Sequence, residues 1–293
     1  MSPTEIAGEF RRGFAGDTFN TTWYLRALRP EIQTRYITHV GNDDASNSML
    51  GMMDDAGIDT SYIGKSDTRT VGLYLISLNN GERSFSYWRG TSAARELGQN
   101  PTAIDHAIKD VDLIYFSGIS LAILDETGRA NLLNSLKRAR ANGKTIAFDS
   151  NLRPRLWANT TQMTQAIMDA AAVSDIVLPS YDDEVTFFDD ANIDSTAARY
   201  LNAGAKTIVV KNGSGSVYFA HDSACGYVST DAAGHVIDTT SAGDSFNAGF
   251  FAGVDRHMPI QTLIKNASQV ARQVIGRKGA LVPLDLTEIE GLK

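Results

Sequence analysis

One turn of this chain carries the residue types of a centre that moves a proton and holds an anion. In Asp238-Thr239-Thr240-Ser241-Ala242-Gly243-Asp244-Ser245 a strand end runs into a small-residue turn and then a helix start. Ser241, Ala242 and Gly243 leave their backbone open to approach, and Asp244 and Ser245 are helix-capping types. Amide groups at a helix N-terminus attract an anion, and the helix dipole adds to that attraction. A carboxylate in the same turn would repel the anion. The combination makes chemical sense if Asp244 takes a proton from a hydroxyl while the amides hold a phosphoryl group in transfer. An ordinary Asp cap after a glycine turn accounts for the local pattern equally well, because short Gly-rich turns are weak evidence on their own.

The composition narrows the class. The chain has 293 residues, enough for one large domain or a domain with a small appendage. Its 43% hydrophobic and 21% charged residues are ordinary for a globular protein. A net charge of −7 disfavours non-specific binding to nucleic acid or to an anionic membrane surface. Cys225 is the single cysteine, so neither an intrachain disulfide nor a cysteine zinc site is available. The five histidines lack ligand spacing and read as surface or structural residues. No apolar run reaches the length of a membrane span and no signal-peptide pattern opens the chain, so a cytoplasmic protein is expected.

Several elements must position the turn. Strands are expected at 112–117, 145–149, 175–178 and 206–211 with helices between them, which implies an α/β fold with a parallel sheet covered on both faces. Alternating residues at 70–77 and 83–89, joined by Asn79-Asn80-Gly81, read as a hairpin standing off that body. Residues 45–56 read as a helix closed by Gly57, and 259–275 as a long helix with an apolar stripe that packs in the core. Ligands of open α/β sheets gather at the carboxyl ends of strands. That places the segment after 145–149 near a ligand, where Arg153 and Arg155 could each pair with a carboxylate or phosphate or be surface charges, and Arg155 is read as a surface charge. Gly16, Asp17 and Asn20 form a turn and helix cap that would also suit a polyol. Ser180, Asp183 and Glu184 are an oxygen-rich cluster that suits Mg²⁺ with its waters, or simply an acidic helix start. Neither a P-loop nor Gly-x-Gly-x-x-Gly is present, so a nucleotide would have to bind by another route.

The stretch from Asp238 to Phe250 closely resembles the C-terminal signature of the ribokinase-like, or PfkB, carbohydrate kinases. The resemblance implies a ribokinase-like three-layer α/β sandwich with a mainly parallel sheet and a small β-sheet lid. It implies a single domain over 1–293, with lid strands from about 8–14, 35–40 and 70–90. Asp244 would be the base that deprotonates the sugar hydroxyl, and the backbone of Ala242 and Gly243 the anion hole. Ser241 stands where the family usually has Gly. Ala15-Gly16-Asp17-Thr18-Phe19-Asn20 matches the family's Gly-Gly-x-x-x-Asn sugar loop with one Gly replaced, and looks most like the 2-keto-3-deoxygluconate kinases. Tyr87-Trp88-Arg89 matches the same group, so Tyr74, Tyr87 and Arg89 are expected to face the sugar. Arg153 joins them, and Asn151 lies near the ATP phosphates. Lys211, Gly213, Gly215 and Ser241 to Gly243 would border the nucleotide, with Gly215 one place earlier than the family's second Gly. Asp183 or Glu184 would serve Mg²⁺ through water.

Two arginines around a sugar pocket argue for an acidic sugar, since a neutral one gives no charge to offset their desolvation. The expected function is ATP-dependent phosphorylation of 2-keto-3-deoxygluconate to the 6-phosphate, with a homo-oligomer formed through the lid. The alternatives are a kinase for a neutral sugar of fructose or ribose type, or a non-catalytic sugar- or nucleotide-binding regulator. The family's first, hydrophobic strand has no counterpart before Gly16. Without it, backbone and apolar surface of its neighbours are expected to be exposed and stability reduced.

Overall fold

The computed structural model describes residues 1–4, 6, 8–79, 82–231 and 233–289. Two short strands, β1 (Ser2–Pro3) and β2 (Phe10–Arg11), precede helix α1 (Asp17–Leu28). Strand β3 (His39–Val40) follows, then α2 (Asp44–Asp55), β4 (Gly64–Lys65) and the hairpin β5 (Leu73–Asn79) and β6 (Glu82–Trp88). Alternation then sets in: α3 (Pro101–Ala107), β7 (Leu113–Ser117), α4 (Gly118–Ala122), α5 (Glu126–Ala141), β8 (Thr145–Asp149), α6 (Thr160–Ala172), β9 (Ile176–Val177), α7 (Tyr181–Phe188), α8 (Ile193–Asn202) and β10 (Thr207–Val210). An antiparallel pair, β11 (Val217–His221) and β12 (Ala224–Val228), leads to the last two long helices, α9 (Ala242–Phe251) and α10 (Ile260–Ile275). Many helix starts follow from side-chain caps. Asp43, Asn100, Asp125, Asn159 and Asn192 each accept a backbone N–H of the following turn.

Six strands form the main sheet in the order β12-β11-β10-β9-β8-β7. Strands β7 to β10 run parallel, and β11 and β12 close the sheet antiparallel. The four parallel strands lie where the sequence pattern places them. Alternation along β8 explains the layers: Ile146 and Phe148 enter a core shared with Leu136, Met163 and Ile167, while Ala147 enters another shared with Phe246, Phe250 and Ile264. Helices α5, α6 and α8 therefore cover one face and α9 and α10 the other, as a three-layer α/β sandwich requires. Among the described residues β7 forms one edge of this sheet, with Leu113, Ile114 and Tyr115 only half-buried.

The hairpin stands apart from this body. Tyr74 lies opposite Tyr87 in its register. The first residues extend it: the Met1 ammonium donates to the Tyr74 carbonyl (2.7 Å), and the Ile76 amide donates to the Met1 carbonyl (2.9 Å). Strand β2 lies within the expected 8–14 segment and pairs with β1. Residues 35–40 do not join this lid, against expectation. His39–Val40 runs parallel to Gly64–Lys65 in a separate two-stranded sheet, and Arg35 bridges to Asp59. The short strand there finds its partner after one intervening helix, a local pairing that hydrophobic alternation alone does not specify.

Helices α9 and α10 touch most closely at Gly249, where an added Cβ would fall 2.7 Å from the Ala267 Cα and 3.0 Å from a Val270 methyl. Backbone atoms cannot yield as a flexible side chain would, so the contact fixes how α9 is aimed. Gly249→Val is expected to lower unfolding free energy by about 1–3 kcal/mol through overpacking. Denaturant titration checks this. An unchanged midpoint would mean that the two helices separate without cost.

Candidate active site

The start of α9 forms one wall of a cleft of about 520 Å³. Ser241, the residue before the helix, adopts a left-handed backbone (φ 63°, ψ 14°). For a residue with a side chain this costs about 1 kcal/mol, which explains why glycine is the easier choice there. The Ser241 hydroxyl offsets the strain by accepting a hydrogen bond from Asn20 Nδ2 at 2.8 Å. The same Nδ2 donates to Asp244 Oδ2 at 2.8 Å, and Asn20 Oδ1 accepts from the Gly16 amide at 3.2 Å. Asn20 is buried, and this one amide ties the sugar-loop candidate to the α9 turn. Thr21 adds a bond from its hydroxyl to the Asp244 carbonyl at 3.1 Å.

The Ala242 N–H donates to the Thr239 carbonyl at 3.1 Å, so it is not free for an anion. The N–H groups of Gly243 and Asp244 find no acceptor among the described residues. Of the two amides expected to hold an anion, Ala242 and Gly243, only that of Gly243 is open, and the Asp244 amide is open beside it. Behind it, Asp238 accepts from Thr240 N (3.1 Å) and Gly279 N (2.8 Å), which holds the turn against the loop bearing Ala280. Tyr24 fixes the far side of that loop through the Ala280 carbonyl and the Val282 amide.

Asp244 shares the cleft with a second carboxylate. Asp17 accepts from Asn151 Nδ2 (2.9 Å) and from the Ser117 hydroxyl. Burial raises the pKa of both acids. For Asp244 the charge of Asp17 adds to burial, the Asn20 bond opposes, and the value is pushed up to about 7. A carboxylate poised there can accept a proton near neutrality, which is what a general base requires. Asn151 reaches Asp17 from a backbone with φ 33°. Its amide is held by Asp149 Oδ1 at 3.1 Å. Asp149 in turn receives Lys211 Nζ at 2.7 Å and Asn247 Nδ2 at 2.7 Å on Oδ2.

Tyr74, Tyr87, Arg89 and Arg153 also line the cleft. The Arg89 guanidinium lies over the Tyr87 ring, 4.4 Å from its centroid. Its Nε is buried and has no hydrogen-bond acceptor among the described residues. Burial, followed by repulsion from Arg153, holds the Arg89 pKa below its ordinary value, while Tyr87 and Asp17 oppose. Arg153 is exposed and reaches Asp183 at 3.7 Å. Arg155 is exposed and outside the cleft lining, as expected.

The acidic cluster separates cleanly. Asp183 lines the cleft. Glu184 does not, so its proposed metal role is corrected. It is fully buried and accepts from the Ser150 hydroxyl (2.5 Å), Arg199 Nη2 (2.8 Å) and the Tyr200 hydroxyl (2.9 Å). Among the described residues no group of three or more His, Cys, Asp or Glu side chains is placed to cage a metal. One cleft carboxylate, Asp183, suits Mg²⁺, which keeps most of its waters and binds with substrate phosphates. Gly213 and Gly215 lie in the turn beyond Lys211, outside the cleft lining. Sequence reasoning passed over Asp149, Ser117 and Asn247. Asn247 was within reach, three residues after Asp244 and so on a neighbouring face of the same helix.

Three comparisons bear on this geometry. The sequence profile described as "pfkB family carbohydrate kinase" matches residues 2–286. The chain is 38% identical over 291 residues to the 2-dehydro-3-deoxygluconokinase of Escherichia coli K12, covering 96% of this chain and 93% of that protein. It is 36% identical over 291 residues to the enzyme of that name from Dickeya dadantii, covering 96% and 94%. The crystal structure of a PfkB protein from Polaromonas sp. JS666 superposes with a TM-score of 0.84 at 25% identity, over 94% of this chain and 90% of that one. Among the described residues no helix is long and apolar enough to cross a membrane.

The raised Asp244 pKa has a stability signature. In the unfolded chain the group titrates near 3.8 and in the fold near 7. The fold therefore favours the protonated form, and its stability falls as pH rises between these values. Asp244→Asn, which mimics the neutral acid, is expected to melt like the parent below about 3.8 and progressively higher than it up to about 7. Thermal unfolding across that range tests this, and a pH-independent difference would contradict the raised value.

Proposed function

The chain belongs to the PfkB family of carbohydrate kinases, and from that premise we propose that it transfers the terminal phosphoryl group of ATP to the 6-hydroxyl of 2-keto-3-deoxygluconate. The observation that carries the choice of substrate is Arg89. A half-buried arginine whose buried Nε lacks an acceptor, in the same cleft as Arg153 and Asp244, calls for an anionic substrate group. A 2-keto acid supplies that carboxylate at one end and a hydroxyl at the other. A neutral hexose or pentose would leave the buried Arg89 Nε without an anionic partner. The names of the relatives at 36–38% identity point the same way.

In this reading Gly16, Asp17 and Asn20 hold the sugar hydroxyls, and Tyr74 and Tyr87 pack its carbon chain beneath the hairpin. Arg89 and Arg153 orient the carboxylate. Asp244 Oδ accepts the hydroxyl proton as the sugar oxygen bonds to phosphorus and the bond to the departing ADP oxygen breaks. The Gly243 and Asp244 amides, at the positive end of α9, take up charge on the transferring group. Asn151, Ser241 and the Lys211-to-Gly215 turn border the triphosphate. Mg²⁺, held through Asp183 and water, would neutralise phosphate charge. Positioning and electrostatics supply most of the rate, as is general for phosphoryl transfer.

ADP release measured over a panel of sugar acids and neutral sugars tests the assignment. Turnover is expected with 2-keto-3-deoxygluconate and to fall more than ~100-fold in Asp244→Asn, the scale of a positioned acid–base group. Arg89→Ala is expected to raise KM for the sugar acid by about 10- to 100-fold, the worth of one charge-assisted hydrogen bond, and to leave neutral sugars unaffected. Preferred turnover of fructose or ribose, or full activity in Asp244→Asn, would overturn it.

A further inference from the structure

Behind the α9 turn lies a buried charge cluster that the mechanism above leaves without a specific task. Lys211 follows β10, and its backbone is clamped on both sides: its amide donates to the Pro179 carbonyl and its carbonyl accepts from the Tyr181 amide, each at 2.8 Å. The side chain is buried, yet it lines the cleft. Its ammonium reaches Asp149 Oδ2 at 2.7 Å and Asn247 Oδ1 at 3.4 Å. Asn247 turns its own Nδ2 to Asp149 Oδ2 (2.7 Å) and to the Tyr115 hydroxyl (3.0 Å). A buried ion pair costs desolvation that its own attraction barely offsets. Hydrophobic residues of equal volume would hold these strands at least as well, so the pair is expensive if it serves only the fold.

The position of the ammonium supplies a use. Lys211 Nζ lies 3.5 Å from where a Cβ on Gly243 would sit, beside the unpartnered amides that open α9. An ammonium has three donors. One is taken by Asp149 and a second, at long range, by Asn247. The third is available on the cleft side. We propose that Lys211 is the side-chain cation for the γ-phosphoryl group, and that Asp149 and Asn247 are positioning residues which aim it. The inference rests on the phosphotransfer reading given above, and it names the contact which that reading leaves general. The sugar oxygen forms the new P–O bond, the bond between γ-phosphorus and the bridging oxygen of ADP breaks, and the proton passes to Asp244. Asp149 holds the Lys211 side chain in place once the phosphoryl group has left with the sugar.

The distinguishing measurement needs no sugar. Binding of ATP and of ADP, each with Mg²⁺, is compared by calorimetry for the parent chain, Lys211→Met, Asp149→Asn and the double variant, all first checked for folding by thermal melts. Lys211→Met is expected to weaken ATP about tenfold and ADP less than twofold, because only ATP carries the γ-phosphoryl. Asp149→Asn is expected to weaken ATP about threefold with ADP unchanged, and to have no further effect on ATP when Lys211 is already Met. The double variant contains no buried unpaired charge, so it keeps the test valid if Lys211→Met alone folds poorly. Equal losses for ATP and ADP, or no loss for ATP in the double variant, would overturn the assignment. Turnover of the sugar acid is measured alongside. A parent chain that discriminates ATP as described but turns over only neutral sugars refutes the substrate reading and leaves the Lys211 role standing.

Discussion

One amide, the side chain of Asn20, holds the cleft together. It is buried between two helix starts and uses both Nδ2 donors and its Oδ1 acceptor on Ser241, Asp244 and Gly16. Those partners belong to segments more than two hundred residues apart. Replacing the amide by a carboxylate or an aliphatic group would leave a strained Ser241 without compensation and Asp244 without its donor. The left-handed turn, the aim of the α9 amides and the orientation of Asp244 therefore depend on one another through a single planar group.

Around that amide the protein gathers several acids in one cleft. The charge of Asp149 raises the pKa of Asp17, and the charges of Asp17 and Asp149 raise that of Asp244, in each case adding to burial. Only Asp149 is matched by a buried cation. Asp17 is held by neutral donors from Ser117 and Asn151. Asp244 keeps one neutral donor, and burial, with the charge of Asp17 added, raises its pKa. Burial first and neighbouring charges second set the proton affinities of Asp17 and Asp244. Glu184 shows the contrasting case: its acid is locked by Arg199, Tyr200 and Ser150 into the join between α7 and α8.

Much of this was legible in the sequence where the signal is local. The parallel strands announce themselves as short apolar runs, and the Asp244 turn as a row of small residues ahead of a helix. Features set by distant partners were not legible. Asp149 gains its meaning from Lys211 and Asn247, 62 and 98 residues away. Adjacent acids on α7 point about 100° apart around the helix, so the string Asp-Asp-Glu could not say which one meets the cleft. The pairing of Met1 with Tyr74 and Ile76 uses main-chain groups alone and has no side-chain signature. The strand at 39–40 chose a parallel neighbour for the same reason.

The register of the hairpin has a consequence for how such a protein can change. Tyr74 faces Tyr87 across a single antiparallel pair, and Arg89 is the first residue after the second strand. The Asp244 turn and the Asp149–Lys211 pair belong to other stretches of chain, anchored in the main body by α9 and β8. Under the proposed assignment, part of the sugar-recognising set, Tyr74, Tyr87 and Arg89, forms a segment separate from the residues that move phosphate. Substitutions in 72–89 can drift toward a new substrate while the phosphate chemistry remains under undisturbed selection. Diversity of substrate on a constant reaction is the evolutionary outcome that such a division of the chain favours.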